Sequence, residues 1–335
     1  MKRIILSIAL VCITQTISAD HPVRRVDKVI LWGHKLHSHT HSYIHWGLSR
    51  AFKHLGFDTY WFDNKDDVSS FDFSNSLFIT EGQVDQNIPV RNDCYYVIHN
   101  CKPDKYRNLL NTNHAIILQV YSHDCLKRND PSFSRCFHYD LSQPVIYMPW
   151  ATDLLPHEID KIKTKLPTVV KNNTTQFNGS AGGMGGFGNQ NQLNAFRKAS
   201  QEQGKTFVIR NAGSCSMEEN IASMQQAYMA PALQGTWQCE NGYIPCRIFK
   251  NISYGALGMT NSKAVYDLFE GKIVYNSDPY QLFYDAQKVL QTWSLENQYE
   301  LMDLVRDKHT YLNRIESLFS FFEMVQNYKN NLQKQ

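Results

Sequence analysis

The sequence lacks several signatures that assign a protein quickly. No two cysteines stand at C-x-x-C spacing, which argues against a structural zinc ribbon. Neither charge dominates: 34 Lys and Arg face 31 Asp and Glu, a net +3 over 335 residues. With no basic field, no run of like charges and no nucleic-acid motif, nucleic acid is not an expected partner. No short-period repeat occurs, and the Asn-rich stretches at 172–173 and 330–331 are too brief to count as low complexity. Past the N-terminus no segment is long and apolar enough to cross a bilayer, which takes roughly 20 residues. What is present is ordinary for a folded protein. The hydrophobic share is 42% and the charged share 19%, in a length that suits about two domains.

The first residues form a unit of their own. Lys2 and Arg3 precede an apolar run from Ile4 to Ile13, and Ser18-Ala19 stands before Asp20. A charged start, a short apolar stretch and a small residue at the cut describe a cleaved export signal over residues 1–19. The expected destination is the secretory pathway, the periplasm or the exterior, or the cytoplasm if the signal does not act. Removing Cys12 with the signal leaves seven cysteines, an odd number. In an oxidising compartment the near neighbours Cys94/Cys101, Cys125/Cys136 and Cys239/Cys246 are candidate pairs, with buried free thiols as the alternative.

Apolar strands then alternate with helical patterns. Strands are expected at 28–32, 59–62, 77–79, 95–98, 115–120 and 145–147. Ile44, Leu48, Ala51, Phe52 and Leu55 mark a helix ended by Gly56, and residues 105–110 read as a short one. Residues 151–168 read as a linker with a short helix over 158–165. A second alternation follows: strands near 175–177, 206–209, 257–259 and 273–275, and helices over 190–203, 218–227, 245–254 and 264–269. A helical tail closes the chain. This is an α/β protein with parallel sheets. The residues just past the first six strands are polar or aromatic: His34, Asp63, Glu81, His99, Tyr121 with His123, and Trp150. Such ends share one sheet edge, where ligands bind.

Three constellations carry chemistry. The first is the loop holding His34, His37, His39, His41 and His45, five imidazoles in twelve residues. His37, His41 and His45 recur every four residues, a spacing that can hold zinc, but the glutamate of a metalloprotease motif is absent. A base at the mouth of a cleft is the better reading, and no metal is expected. The second runs from Asn178 to Asn189 and includes Gly179, Gly182, Gly183, Gly185 and Gly188 between a strand and a helix. Its backbone N–H groups suit a phosphate. The third is Gly242-Tyr243-Ile-Pro245-Cys-Arg247-Ile-Phe-Lys250-Asn251-Ile-Ser-Tyr254-Gly255. Ile244, Ile248, Phe249 and Ile252 form its apolar stripe. Arg247, Lys250, Asn251 and Tyr254 share the other face, and a helix start with two cations suits a phosphate.

Residues 242–260 resemble the donor-site helix of GT-B glycosyltransferases, above all the CgeB-like and family-1-like group. The shared features are Gly242, Arg247-Ile-Phe249, Gly255 and Thr260. His309-Thr310-Tyr311 with Arg314 resembles that group's last helix. The resemblance covers the second domain and the tail, and the first domain only by architecture. With the residue patterns above, it implies two Rossmann-like domains facing across a cleft: after the signal at 1–19, an acceptor domain at 26–150, a linker at 151–168, a donor-binding domain at 169–295, and C-terminal helices at 296–335. It implies a nucleotide-sugar donor held by Gly179, Gly182, Gly183, Gly185, Gly242, Tyr243, Arg247, Lys250 and Asn251, and a carbohydrate or other hydroxyl acceptor. No metal or further cofactor is implied, in keeping with the missing Asp-x-Asp signature. His41 is the first candidate base and Glu81 the second. Lys250 departs from the group, many of whose members carry there a glutamate that holds the nucleotide ribose.

The expected activity is transfer of a sugar from a nucleotide-sugar donor to a hydroxyl. A non-catalytic sugar- or nucleotide-binding protein on the same frame is the alternative, favoured by Lys250 and by the export signal. An NAD-dependent oxidoreductase fits less well, because the glycine fingerprint has no acidic partner at the next strand's end. Of four Asn-x-Ser/Thr sites, at Asn172, Asn173, Asn178 and Asn251, the last is expected to stay unmodified.

Overall fold

The computed structural model describes residues 22–36, 41–81, 87–99, 114–121, 144–182, 188–210 and 216–332. Residues 1–19, expected to be an export signal, and His37, His39, His123, Gly183, Gly185, the stretch 105–110 and Cys101, Cys125, Cys136 and Cys215 lie outside them.

The first half is a parallel sheet of six strands: β1 (Lys28–Trp32), β2 (Asp58–Phe62), β3 (Ser76–Glu81), β4 (Tyr95–His99), β5 (Ala115–Gln119) and β6 (Val145–Tyr147), ordered β2-β1-β3-β4-β5-β6. Every residue of β4 and β5 is buried, as expected of apolar strands covered on both faces. Alternate side chains feed two cores. Val29, Leu31, Ile79 and Val97 pack toward helix α1 (Ser42–His54), and Ile30, Phe78, Tyr96 and Ile98 pack with Phe73 on the other side. The Ile44, Leu48, Ala51, Phe52 stripe of α1 is buried as its spacing predicts.

The crossover at 151–155 leads through α2 (Pro156–Lys165) into the second half. Its strands β7 (Thr174–Asn178) and β8 (Thr206–Arg210) form one parallel pair, and β9 (Met259–Thr260) and β10 (Val274–Tyr275) another. Residues 229–232 join the pairs. The Gln176 N–H donates to the Met229 carbonyl at 2.8 Å, and the Ala232 N–H donates to the Met259 carbonyl at 3.0 Å. The lateral order is therefore β8, β7, 229–232, β9, β10. Around it lie α3 (Gln190–Glu202), α4 (Met217–Gln226), α5 (Thr236–Glu240), α6 (Cys246–Ser253), α7 (Lys263–Leu268), α8 (Pro279–Leu290) and α9 (Leu295–Lys308).

The last helix, α10 (Tyr311–Leu332), returns to the first half. Tyr311, Ile315, Leu318, Phe319 and Phe322 complete the core under α1, and Arg24 pairs with Glu316 and Glu323. Gly47 lets α1 come this close, since a Cβ there would stand 2.5 Å from the Tyr311 ring. Outgoing and returning chains run side by side: the Thr152 N–H donates to the His309 carbonyl, and buried Arg314 donates to the carbonyls of Pro149 and Trp150. That guanidinium satisfies backbone groups that burial would leave without water.

Two expectations need correction, and two elements were missed. Cys239 and Cys246 do not pair; both are free thiols, as is Cys94. The helix expected from Pro245 starts at Cys246, with Pro245 extended as its cap. Helix α5 and the 229–232 strand were not foreseen. Pro231 has no N–H for the ladder, so the segment does not read as a central strand. No described helix is long and apolar enough to cross a membrane.

Candidate functional site

Both sheets change winding direction once. In the first, the chain leaves β1 for β2 on one side and β3 on the other. In the second, it leaves β7 for β8, then returns to 229–232 on the opposite side. A parallel sheet opens a crevice at such a point, at the carboxyl ends of its strands. Here the two crevices face each other across one cavity of about 450 Å³. His41, Tyr43, His99, Tyr121 and Trp150 line it from the first half. Asn178, Gly179, Gly182, Arg210, Gln234, Tyr243, Arg247, Lys250 and Asn251 line it from the second.

Helix α6 supplies the cations. Its Ile248, Phe249 and Ile252 are buried, which turns Arg247 and Lys250 toward the cavity. Gly255, at φ +96°, ends the helix, and the Ala256 N–H closes onto the Asn251 carbonyl at 2.9 Å. Arg247 reaches across to the ends of two strands. Its Nε donates to the Asn178 carbonyl at 2.8 Å, its Nη1 donates to the Leu233 carbonyl at 3.1 Å, and the guanidinium lies 4.0 Å over the Phe177 ring. Gly179, at φ +137°, makes room: any Cβ there would collide with that guanidinium. Burial lowers the arginine's pKa, yet a guanidinium stays charged. Among the described residues no carboxylate pairs with it.

Lys250 differs. Its Nζ is 2.6 Å from Asp153, a residue of the crossover that is itself buried, and Asp153 also accepts from the Tyr254 hydroxyl at 2.8 Å. Burial, the largest single influence, lowers the lysine pKa, but Asp153 together with Cys246 and Tyr43 raises the net value. Lys250 therefore enters the cavity with its charge already balanced. Among the described lining residues are three cations, Arg210, Arg247 and Lys250, and no carboxylate. This surplus suits an anion of the size of a diphosphate.

The remaining expected residues fall as follows. Gly182 lines the cavity at φ +90°, its N–H bound by Asn189 at the start of α3. Tyr243 lines it and packs against Tyr121 of the first half at 5.3 Å. Burial raises the Tyr243 hydroxyl pKa. Gly242 is not among the lining residues; its carbonyl accepts from Tyr147 at 2.8 Å and so ties the halves together. Asn251 reaches the lining, but its amide is spent on the Ala230 carbonyl at 2.8 Å, which holds the 229–232 strand. At 2% exposure it offers little room for a glycan.

His41 stands at the N-terminus of α1 among other imidazoles and an indole. Ring centres lie 5.5 Å away for His34, 5.1 Å for His99 and 6.1 Å for Trp150. His45 is turned away, with Nδ1 at 2.9 Å from the Gly33 carbonyl. Glu81 ends β3 in register with His99. Among the described residues no group of His, Cys, Asp and Glu is arranged to hold a metal ion. Asp153 and Gln234 escaped the sequence reading. The first looked like linker punctuation, and the second follows a strand hidden by Pro231.

No family description and no curated protein matches the chain. Solved structures do. It is similar to an α-glucosyltransferase in complex with UDP and a 13-mer DNA containing a HMU base, at TM-score 0.51 and 9% identity over 88% of this chain and 99% of that one. It is similar also to an α-glucosyltransferase in complex with UDP-glucose and DNA containing an abasic site, at TM-score 0.52 and 8% identity over 89% and 99%. The two facing Rossmann-like halves of this chain are thus the GT-B fold seen in those glycosyltransferases.

Proposed function

We propose that this protein is a metal-independent glycosyltransferase that moves a hexosyl or related sugar from a nucleotide-sugar donor to a hydroxyl acceptor. One observation carries the reading. Arg247 projects from the start of α6 onto the Asn178–Gly179 strand end, in a cavity whose described lining has no carboxylate. Glycosyl transfer needs a departing nucleoside diphosphate to be stabilised as charge builds on it. Arg247, helped by Arg210, supplies that; the Gly179 and Gly182 N–H groups are spent on the Arg210 carbonyl and on Asn189. Lys250, neutralised by Asp153, lends shape and hydrogen bonding more than charge. The acceptor hydroxyl must lose a proton, and His41 on the facing wall takes it, with Glu81 at the end of β3 as second candidate. The UDP and UDP-glucose bound by the similar enzymes support a donor of this class. With an export signal at 1–19, the protein meets its substrates outside the cytoplasm.

A non-catalytic binder of the same ligands is the second reading, favoured by the Lys250–Asp153 pair. Titration calorimetry with UDP-, GDP- and ADP-sugars tests the binding, and release of the nucleoside diphosphate separates enzyme from binder. Arg247→Ala is expected to weaken the bound nucleotide at least 30-fold, for loss of a charge-assisted contact of about 2 kcal/mol or more. Unchanged affinity in a folded Arg247→Ala protein sinks the proposal.

A further inference from the structure

Gln234 is held on three sides and lacks a partner on the fourth. Its backbone N–H donates to Asn261 Oδ1 at 2.9 Å, and Asn261 Nδ2 returns a bond to its carbonyl at 2.9 Å. Its Nε2 donates to the Tyr243 carbonyl at 3.0 Å. That carbonyl can only accept, so the side-chain amide has one possible orientation. The remaining atom, Oε1, is buried and accepts from no donor. Gln234 is 1% exposed and lines the cavity. A buried acceptor left empty costs stability, so a ligand group that fills it is favoured.

The position says which part of a ligand that is. Leu233, the preceding residue, gives its carbonyl to Arg247. Gln234 therefore sits one residue from the cation assigned to the diphosphate. Through Tyr243, which packs on Tyr121, it lies on the side of the cleft nearest the first half. The group next to the phosphate and nearest the acceptor is the sugar to be transferred.

We infer that Gln234 is a specificity-determining residue whose Oε1 accepts a hydrogen bond from a hydroxyl of the transferred sugar. The inference rests on the proposed donor site and adds what the site reads. It predicts that a sugar nucleotide binds more tightly than its own diphosphate by an increment that depends on Gln234.

Titration calorimetry of wild type and Gln234→Met tests this with UDP, GDP and ADP beside their glucosyl or mannosyl derivatives. Gln234→Met is expected to lose about tenfold of the sugar's increment while binding the free diphosphates within about twofold of wild type. Its melting temperature without ligand reports whether the Tyr243 bond was needed for folding. Deoxy analogues of the tightest sugar nucleotide, titrated into wild type, give a second readout: one of them should bind about tenfold more weakly than its parent. Full retention of the increment in folded Gln234→Met, or equal binding of every deoxy analogue, overturns the inference. Binding of diphosphates with no gain from any sugar also overturns it and leaves the diphosphate site standing. No binding of any nucleotide overturns both.

Discussion

Acid should loosen the junction between the halves through His309. The residue is 2% exposed, its ring 5.0 Å from Phe249 and 5.4 Å from Phe269, and Arg314 Nη2 lies 3.1 Å from its Nδ1. A guanidinium can only donate, so Nδ1 accepts and the imidazole is neutral. Burial first, then the charges of Arg314 and Lys308, push its pKa down from 6.5 to about 3. Unfolded, the same imidazole takes up a proton below pH 6.5. The folded state thus binds fewer protons between those values, and stability present above pH 6.5 is lost as pH falls toward 3. From pH 7 to pH 5 linkage gives a loss of about 2 kcal/mol from this one group. Gln at 309 keeps an acceptor for Arg314 and does not titrate. Urea unfolding at both pH values, on wild type and His309→Gln, should show the variant losing about 2 kcal/mol less. Equal acid losses in the two proteins would refute the assignment of a depressed pKa to His309.

Two predictions concern the cleft. Gly179→Ala puts a methyl group against the Arg247 guanidinium at a φ of +137°, so UDP affinity measured by calorimetry should fall about tenfold or more. Wild-type affinity in that variant would mean Arg247 does not need its place against the strand end. Cys246 lines the cavity, while burial pushes the Cys239 thiol up to about 11. Iodoacetamide should therefore label Cys246 before Cys239, and saturating UDP should slow the Cys246 labelling in a peptide mass map. Equal rates with and without UDP would place the nucleotide elsewhere.

The sequence by itself determined the alternation of strands and helices, because burial on both faces of a parallel sheet demands the apolar runs seen at 95–98 and 115–120. It determined the two-faced character of α6, since Ile248, Phe249 and Ile252 can share a buried stripe only if Arg247 and Lys250 turn the other way. Glycine spacing marked Gly179 and Gly255, where the backbone needs a positive φ. Only the tertiary structure decided the rest. Asp153 reaches Lys250 and Tyr254 across about a hundred residues of chain, and Arg314 reaches the carbonyls of Pro149 and Trp150 from still farther. Pro231 masked the strand that brings Gln234 to the cavity. Periodicity reports how a residue sits on its own element; which charge meets which, and which acceptor is left empty, depends on elements that touch only after the chain has folded.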